Sequence, residues 1–199
     1  RKIARELYRR GDASDFMRSL PHVLFEENRV HAFAIGMERE YERAIELYDL
    51  FLPHVDNWAT CDQLPVRVLA EQPARTLECA RRWMSSEHGF TVRFGIGVLM
   101  RLYLDDLFEP RFAAMAAAAR MTGSPERPEP ESDAYYVDMM RAWDLAEALV
   151  RQPMAAWPYV ERRDECALLD EWTRRKAIQK ACESRRISVE AKERLRSFR

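Results

Sequence analysis

Apolar side chains recur at helical spacing along nearly the whole chain, beginning with Ile3, Ala4, Leu7 and Tyr8. The strict apolar–polar alternation of a half-buried strand is absent, and only six of the 199 residues are glycine. A stripe with a 3.6-residue period finds its burial as a helix and cannot be buried as a strand. The expected fold class is therefore all-α, in a chain long enough to bury a sizeable core without disulfides or metals. Breaks are expected at Gly11-Asp12, Pro21, Pro53, Pro73, Glu87-His88-Gly89, Pro110, residues 122–133, Pro153, Asp164 and Ile187-Ser188. They divide the chain into about ten helices of roughly 8 to 18 residues with short connectors. The one long connector, TGSPERPEPESD at residues 122–133, is proline-rich and acidic and reads as a solvated loop between helix pairs.

An internal period points to how such helices would stack. Phe90, Val92 and Gly97 in GFTVRFGIGVLMRL are matched, at an offset of 45, by Tyr135, Val137 and Ala142 in AYYVDMMRAWDLAEAL. Phe25 and Ala32 repeat the aromatic-then-small device more loosely. Two-helix repeats have such periods, the small residue letting a neighbouring helix approach. Chance matches between helices are the competing reading.

Formal net charge is −1, so no global field draws the protein to an anion. Locally, mostly arginine cations crowd together at Arg174, Arg175, Lys176 and Lys180, then at Arg185 and Arg186. Such runs suit sequence-independent phosphate contacts, or simply a solvated helix face. Cys61, Cys79, Cys166 and Cys182 are scattered in apolar contexts, as reduced core residues of a reducing cytoplasm would be. His22, His31, His54 and His88 are equally dispersed, and no zinc site is expected. No apolar run is long enough to cross a bilayer. A helical pattern is already under way at Arg1, and an N-terminal segment is expected to precede it.

VDNWATCDQL, residues 55–64, sets Trp58 four positions before Asp62, which puts an indole and a carboxylate on one helix face. Trp58 could pack into the core, with Asp56 or Asn57 capping the helix and Asp62 a surface charge. Alternatively the pair meets a cationic partner.

Arg1 to Ala4, DNWATCDQL, FTVRFGIGVLMRL, YYVDMMRAWDLAEAL with its following Pro153, and WTRRKAIQKACESRRIS together resemble the bacterial DNA alkylation repair family of AlkD-like alkylpurine DNA glycosylases. The resemblance spans nearly the whole chain and rests on the order and separation of soft motifs. It implies an α-solenoid of HEAT-like two-helix repeats over residues 1–199, holding duplex DNA with alkylated bases in a concave basic cleft. It also implies excision of cationic N3- or N7-alkylated purines without flipping them into a pocket. By position, Trp58, Trp143, Asp62 and Arg93 match that family's site. No cofactor is implied, a monomer suffices, and the setting is the bacterial cytoplasm, at the nucleoid when DNA is bound. Packing competes for Trp143, and a buried ion pair between repeats competes for Arg93. The near-neutral charge and the acidic stretch Glu126 to Glu131 depart from a duplex binder. A non-catalytic binder of damaged or branched DNA and a protein-interaction solenoid therefore stand as alternatives.

Overall fold

The computed structural model describes residues 1–162 and 168–198; Cys166 and the boundary expected at Asp164 lie outside them. Within the described residues the chain forms α1 (Lys2–Arg10), α2 (Ala13–Arg18), α3 (Phe25–Ile35), α4 (Tyr41–Phe51), α5 (Trp58–Gln63), α6 (Pro73–Met84), α7 (Gly89–Leu102), α8 (Pro110–Ala118), α9 (Asp133–Arg151), α10 (Pro153–Glu161), α11 (Glu171–Glu183) and α12 (Val189–Arg196). Turns of 3-10 helix add Leu52–His54 and Val68–Glu71, and no strand occurs among these residues. The fold is all-α, as expected, though with more and shorter pieces than about ten: α2 and α5 have six residues each. The chain turns at Leu64-Pro65, because proline pushes the residue before it out of the helical region, and Leu64 is extended.

The other expected breaks are mostly helix starts. Pro73, Pro110 and Pro153 each lie in a first turn, where the missing N–H has no helical partner to lose. Side-chain caps satisfy orphan N–H groups elsewhere. Ser132 Oγ accepts from the Tyr135 amide at the start of α9, Asp170 from Thr173 at α11, and Ser188 from Ala191 at α12.

Two compact units divide within α6, at Arg1–Cys79 and Ala80–Arg199. In the first, Ile35, Leu47, Tyr48, Phe51, Leu64 and Leu69 are fully buried. His31 is buried with them, stacked 4.0 Å from the Phe51 ring, its Nδ1 2.8 Å from His22 Nε2. Burial pushes the His31 pKa down to about 3, helped by His22 and His54, so the ring is neutral.

In the second unit α7 is buried from Gly89 through Met100. Helices two apart lie side by side: α9 packs on α7 and on α11, with α8 and α10 also against it. The two helices of the repeat thus pack on each other, though the ring that meets Phe90, at 5.1 Å, is Tyr136 and not the Tyr135 that the 45-residue offset pairs with it. The small residue of the repeat plays a different part from the one expected. A Cβ on Gly97 would meet Met140 Cε of α9 at an ordinary 3.6 Å, whereas on Gly95 it would meet Met84 Cγ at 2.8 Å and the Ala80 carbonyl at 3.0 Å. Gly95 rather than Gly97 is thus the position in mid-helix where a neighbour comes too close for a side chain, and the helix admitted is α6.

The centre of this unit is polar. Arg141 of α9, 1% exposed, donates to Asp138 Oδ1 (2.6 Å), Asp170 Oδ2 (2.9 Å), the Leu168 carbonyl (3.1 Å) and, through two nitrogens, the Ala117 carbonyl at the end of α8. A guanidinium taken out of water is tolerable only with its donors matched.

Arg141→Ala removes the cation from the fully buried Asp138 and from Asp170 and is expected to cost about 3–5 kcal/mol in urea unfolding; a loss below about 1 kcal/mol would contradict the tie. Because the His31 pKa is depressed, its contribution is complete above 6.5 and is lost as pH falls from 6.5 towards 3. Wild-type protein should therefore lose stability relative to His31→Gln across that window in paired urea titrations, and parallel curves would disprove a neutral buried ring.

Candidate nucleic-acid interface

Helix α5 is anchored on one side and open on the other. Asn57 caps it, its Oδ1 accepting from the Thr60 amide at 2.8 Å, while Asp56 accepts from the Asn57 side chain. Thr60 and Cys61 are buried, which gives those two residues their role as the anchoring face. Trp58, the first helical residue, is 54% exposed, and Asp62, one turn on, is half-buried. A core role for Trp58 is thereby excluded, since an indole that served packing would not leave half its surface in water.

In the second unit Arg93 and Trp143 occupy α7 and α9. Arg93 is only 6% exposed, and its Nη1 donates to the Tyr136 carbonyl at 2.7 Å, tying α7 to α9. Trp143 is half-buried, with Lys180 Nζ of α11 lying 5.9 Å from its ring centre. Beside it runs a chain of rings: Phe90 to Tyr136 at 5.1 Å, Tyr136 to Tyr135 at 5.5 Å, and Tyr135 to Trp172 at 5.5 Å. Lys176 Nζ sits 5.6 Å over Trp172. Positions 135, 139 and 143 of α9 and 172, 176 and 180 of α11 each form one helix face, so the two faces meet as an aromatic and cationic strip. The sequence reading missed Trp172 and undervalued Tyr135 and Tyr136, although Trp172 stands four residues before Lys176 and Tyr135 eight before Trp143.

The basic run is less uniform than its composition suggests. Arg174 is 7% exposed and bonds to both Glu171 oxygens (2.8 and 3.0 Å), to the Val160 carbonyl and to the Phe198 carbonyl. Its guanidinium joins α10, α11 and the end of the chain, so it is a structural clamp and not a phosphate contact as expected. The Arg174 hydrogen bond, with Arg175 assisting, pulls the Glu171 carboxyl down to about 2. Arg175 is exposed beside Glu171, Arg186 is exposed beside Glu147, and Arg185 is exposed.

The acidic connector is not wholly solvated either. Pro128 is buried, and Arg127, Pro128, Glu129 and Pro130 form one wall of a cavity of about 530 Å³ whose other wall is Tyr135, Trp172 and Lys176. Asp144, next to Trp143 in sequence, is 4% exposed; desolvation, with the Glu147 charge adding, pushes its carboxyl up to about 8. At neutral pH it is protonated.

A family model described as DNA alkylation repair enzyme matches residues 1–103. The chain belongs to that family. Membership makes it a DNA repair protein with DNA as its substrate. Trp58, Asp62 and Arg93 fall inside the matched stretch, while Trp143 and the α11 cations fall beyond it. No curated protein and no solved structure gives a match. Among the described residues no helix is long and apolar enough to cross a membrane, and no group of three or more His, Cys, Asp or Glu could hold a metal ion.

A carboxyl whose folded pKa is raised stabilises most below its unfolded value of 3.8, and that contribution is lost as pH rises through about 8. Asp144→Asn should therefore gain on the wild type as pH rises from about 4 to about 8, at up to roughly 1.4 kcal/mol per unit. A variant whose unfolding curve tracks the wild type at both ends of that range would show that Asp144 is ionised in the native state.

Proposed function

We propose that this member of the family is a DNA N-glycosylase that excises cationic N3- or N7-alkylated purines from duplex DNA. The observation that carries the reading is the exposed Trp58 set one turn before Asp62 on a capped and anchored helix, inside the stretch that the family model matches. Alkylation at N3 or N7 leaves a purine positively charged, so its glycosidic bond is already weakened and the leaving group needs no proton. A single carboxylate then suffices, in contrast to the acid-and-base pair of ordinary glycoside hydrolysis. As the bond breaks, the sugar becomes oxocarbenium-like, and a fixed anion beside it stabilises that state more than the ground state. Asp62 supplies the anion and orients the attacking water. The Trp58 face lies against the sugar and the cationic base, a contact worth about 0.5–2 kcal/mol.

Arg93 holds the α7–α9 junction and presents what remains of its fork to a DNA phosphate. Lys176, Lys180, Arg175, Arg185 and Arg186 contribute sequence-independent phosphate contacts, which a lesion scanner needs. An exposed ion pair such as Arg175–Glu171 is replaceable, being worth about 1 kcal/mol or less.

A second reading, a non-catalytic binder of damaged or branched DNA, is favoured by the aromatic and cationic strip of α9 and α11, which needs no catalytic carboxylate. The two part on one assay. With duplex containing N7-methylguanine, wild-type protein should release free base, and Asp62→Asn should lower the single-turnover rate about 10²- to 10³-fold. Protein inert on several alkylated duplexes, yet binding them with a steep salt dependence indifferent to Asp62, would replace the enzyme by the binder.

A further inference from the structure

The cavity between the proline-rich connector and the α9–α11 face has no part in the excision chemistry. Its floor is aromatic, with the Tyr135 and Trp172 rings 5.5 Å apart and tilted by 57°. Lys176 and Arg127 supply a cation from each wall, one from α11 and one from the connector, and outnumber Glu129, the one acid in the lining. A volume of about 530 Å³ suits one small ligand; it is far too small for duplex, and the polar rim is wrong for a greasy one. A bare anion would gain nothing from the rings, and an apolar molecule would strand both cations. A flat π-system carrying a phosphate uses all of it, and ring faces with nearby cations are how proteins hold unpaired nucleotides without reading their sequence.

We propose that this cavity receives one unpaired nucleotide of a DNA strand, its base on the Trp172–Tyr135 floor and its phosphate between Lys176 and Arg127. The inference rests on the DNA reading above and extends it, because Lys180 and Trp143 continue the same strip along α9 and α11. It also gives the connector a purpose. Arg127 and the prolines at 128 and 130 wall the cavity in to about 530 Å³, so a single extruded nucleotide enters where a helix cannot.

The test compares a fully paired duplex with the same duplex carrying one extra, unpaired adenosine, by fluorescence anisotropy on the full chain, with excision of N7-methylguanine measured in parallel. Wild-type protein should prefer the bulged duplex by about tenfold. Trp172→Ala and the exposed-loop variant Arg127→Ala should bring the ratio of the two affinities close to one, and Trp172→Phe should keep most of it. Should Trp172→Ala fail to fold, Arg127→Ala and Trp172→Phe still decide. No preference in the wild type, or a preference that survives Arg127→Ala and Trp172→Ala, overturns the proposal while excision, if present, leaves the enzyme reading standing. Failure to bind either duplex removes both.

Discussion

The buried Arg141 guanidinium is the constraint on which the second unit depends. Its donors reach the end of α8, a carboxylate on its own helix, and a carboxylate and a carbonyl at the entry to α11. Hydrophobic contact alone would allow these helices to slide past each other at little cost, since apolar packing is non-directional. Directed bonds to a charge that cannot return to water remove that freedom. One register of α9 against α8 and α11 is left, and with it one placement of Tyr135, Trp143, Trp172, Lys176 and Lys180 along a shared strip.

The same economy governs α5 in the first unit. Six residues make a helix too short to be stable by itself. It persists because Asn57 caps it, Pro65 ends it, and Thr60 and Cys61 hold one face down. Asn57, Pro65, Thr60 and Cys61 thus hold the helix in place, while Trp58 keeps about half of its surface in water. An exposed indole one turn before a carboxylate is what the proposed contact with a positively charged nucleotide requires.

Much of this was legible in the sequence. The helical period gave the all-α class, proline gave the starts of α6, α8 and α10, and the 45-residue offset anticipated α7 and α9 lying side by side. Other features were hidden for physical reasons. Composition cannot separate a cation that faces water from one folded inward, so Arg174 looked like its exposed neighbour Arg175, and Arg141 looked like nothing in particular. Which glycine admits a neighbour depends on the helix that arrives, which is why Gly95 and not Gly97 is the close contact. Charge counting made residues 122–133 a solvated loop; the burial of Pro128 and the wall built by Arg127 and Glu129 appear only once α9 and α11 are in place.

The central claim is that the face of α5 carrying Trp58 and Asp62 meets the sugar of a positively charged nucleotide. A crystal structure with duplex DNA bearing a non-hydrolysable 2′-fluoro N7-methylguanosine tests it most directly. The account predicts the Trp58 ring against the lesion nucleotide, with the Asp62 carboxylate as the nearest anion to C1′. DNA bound with that carboxylate remote from the lesion, or with the α5 face left bare, would contradict it.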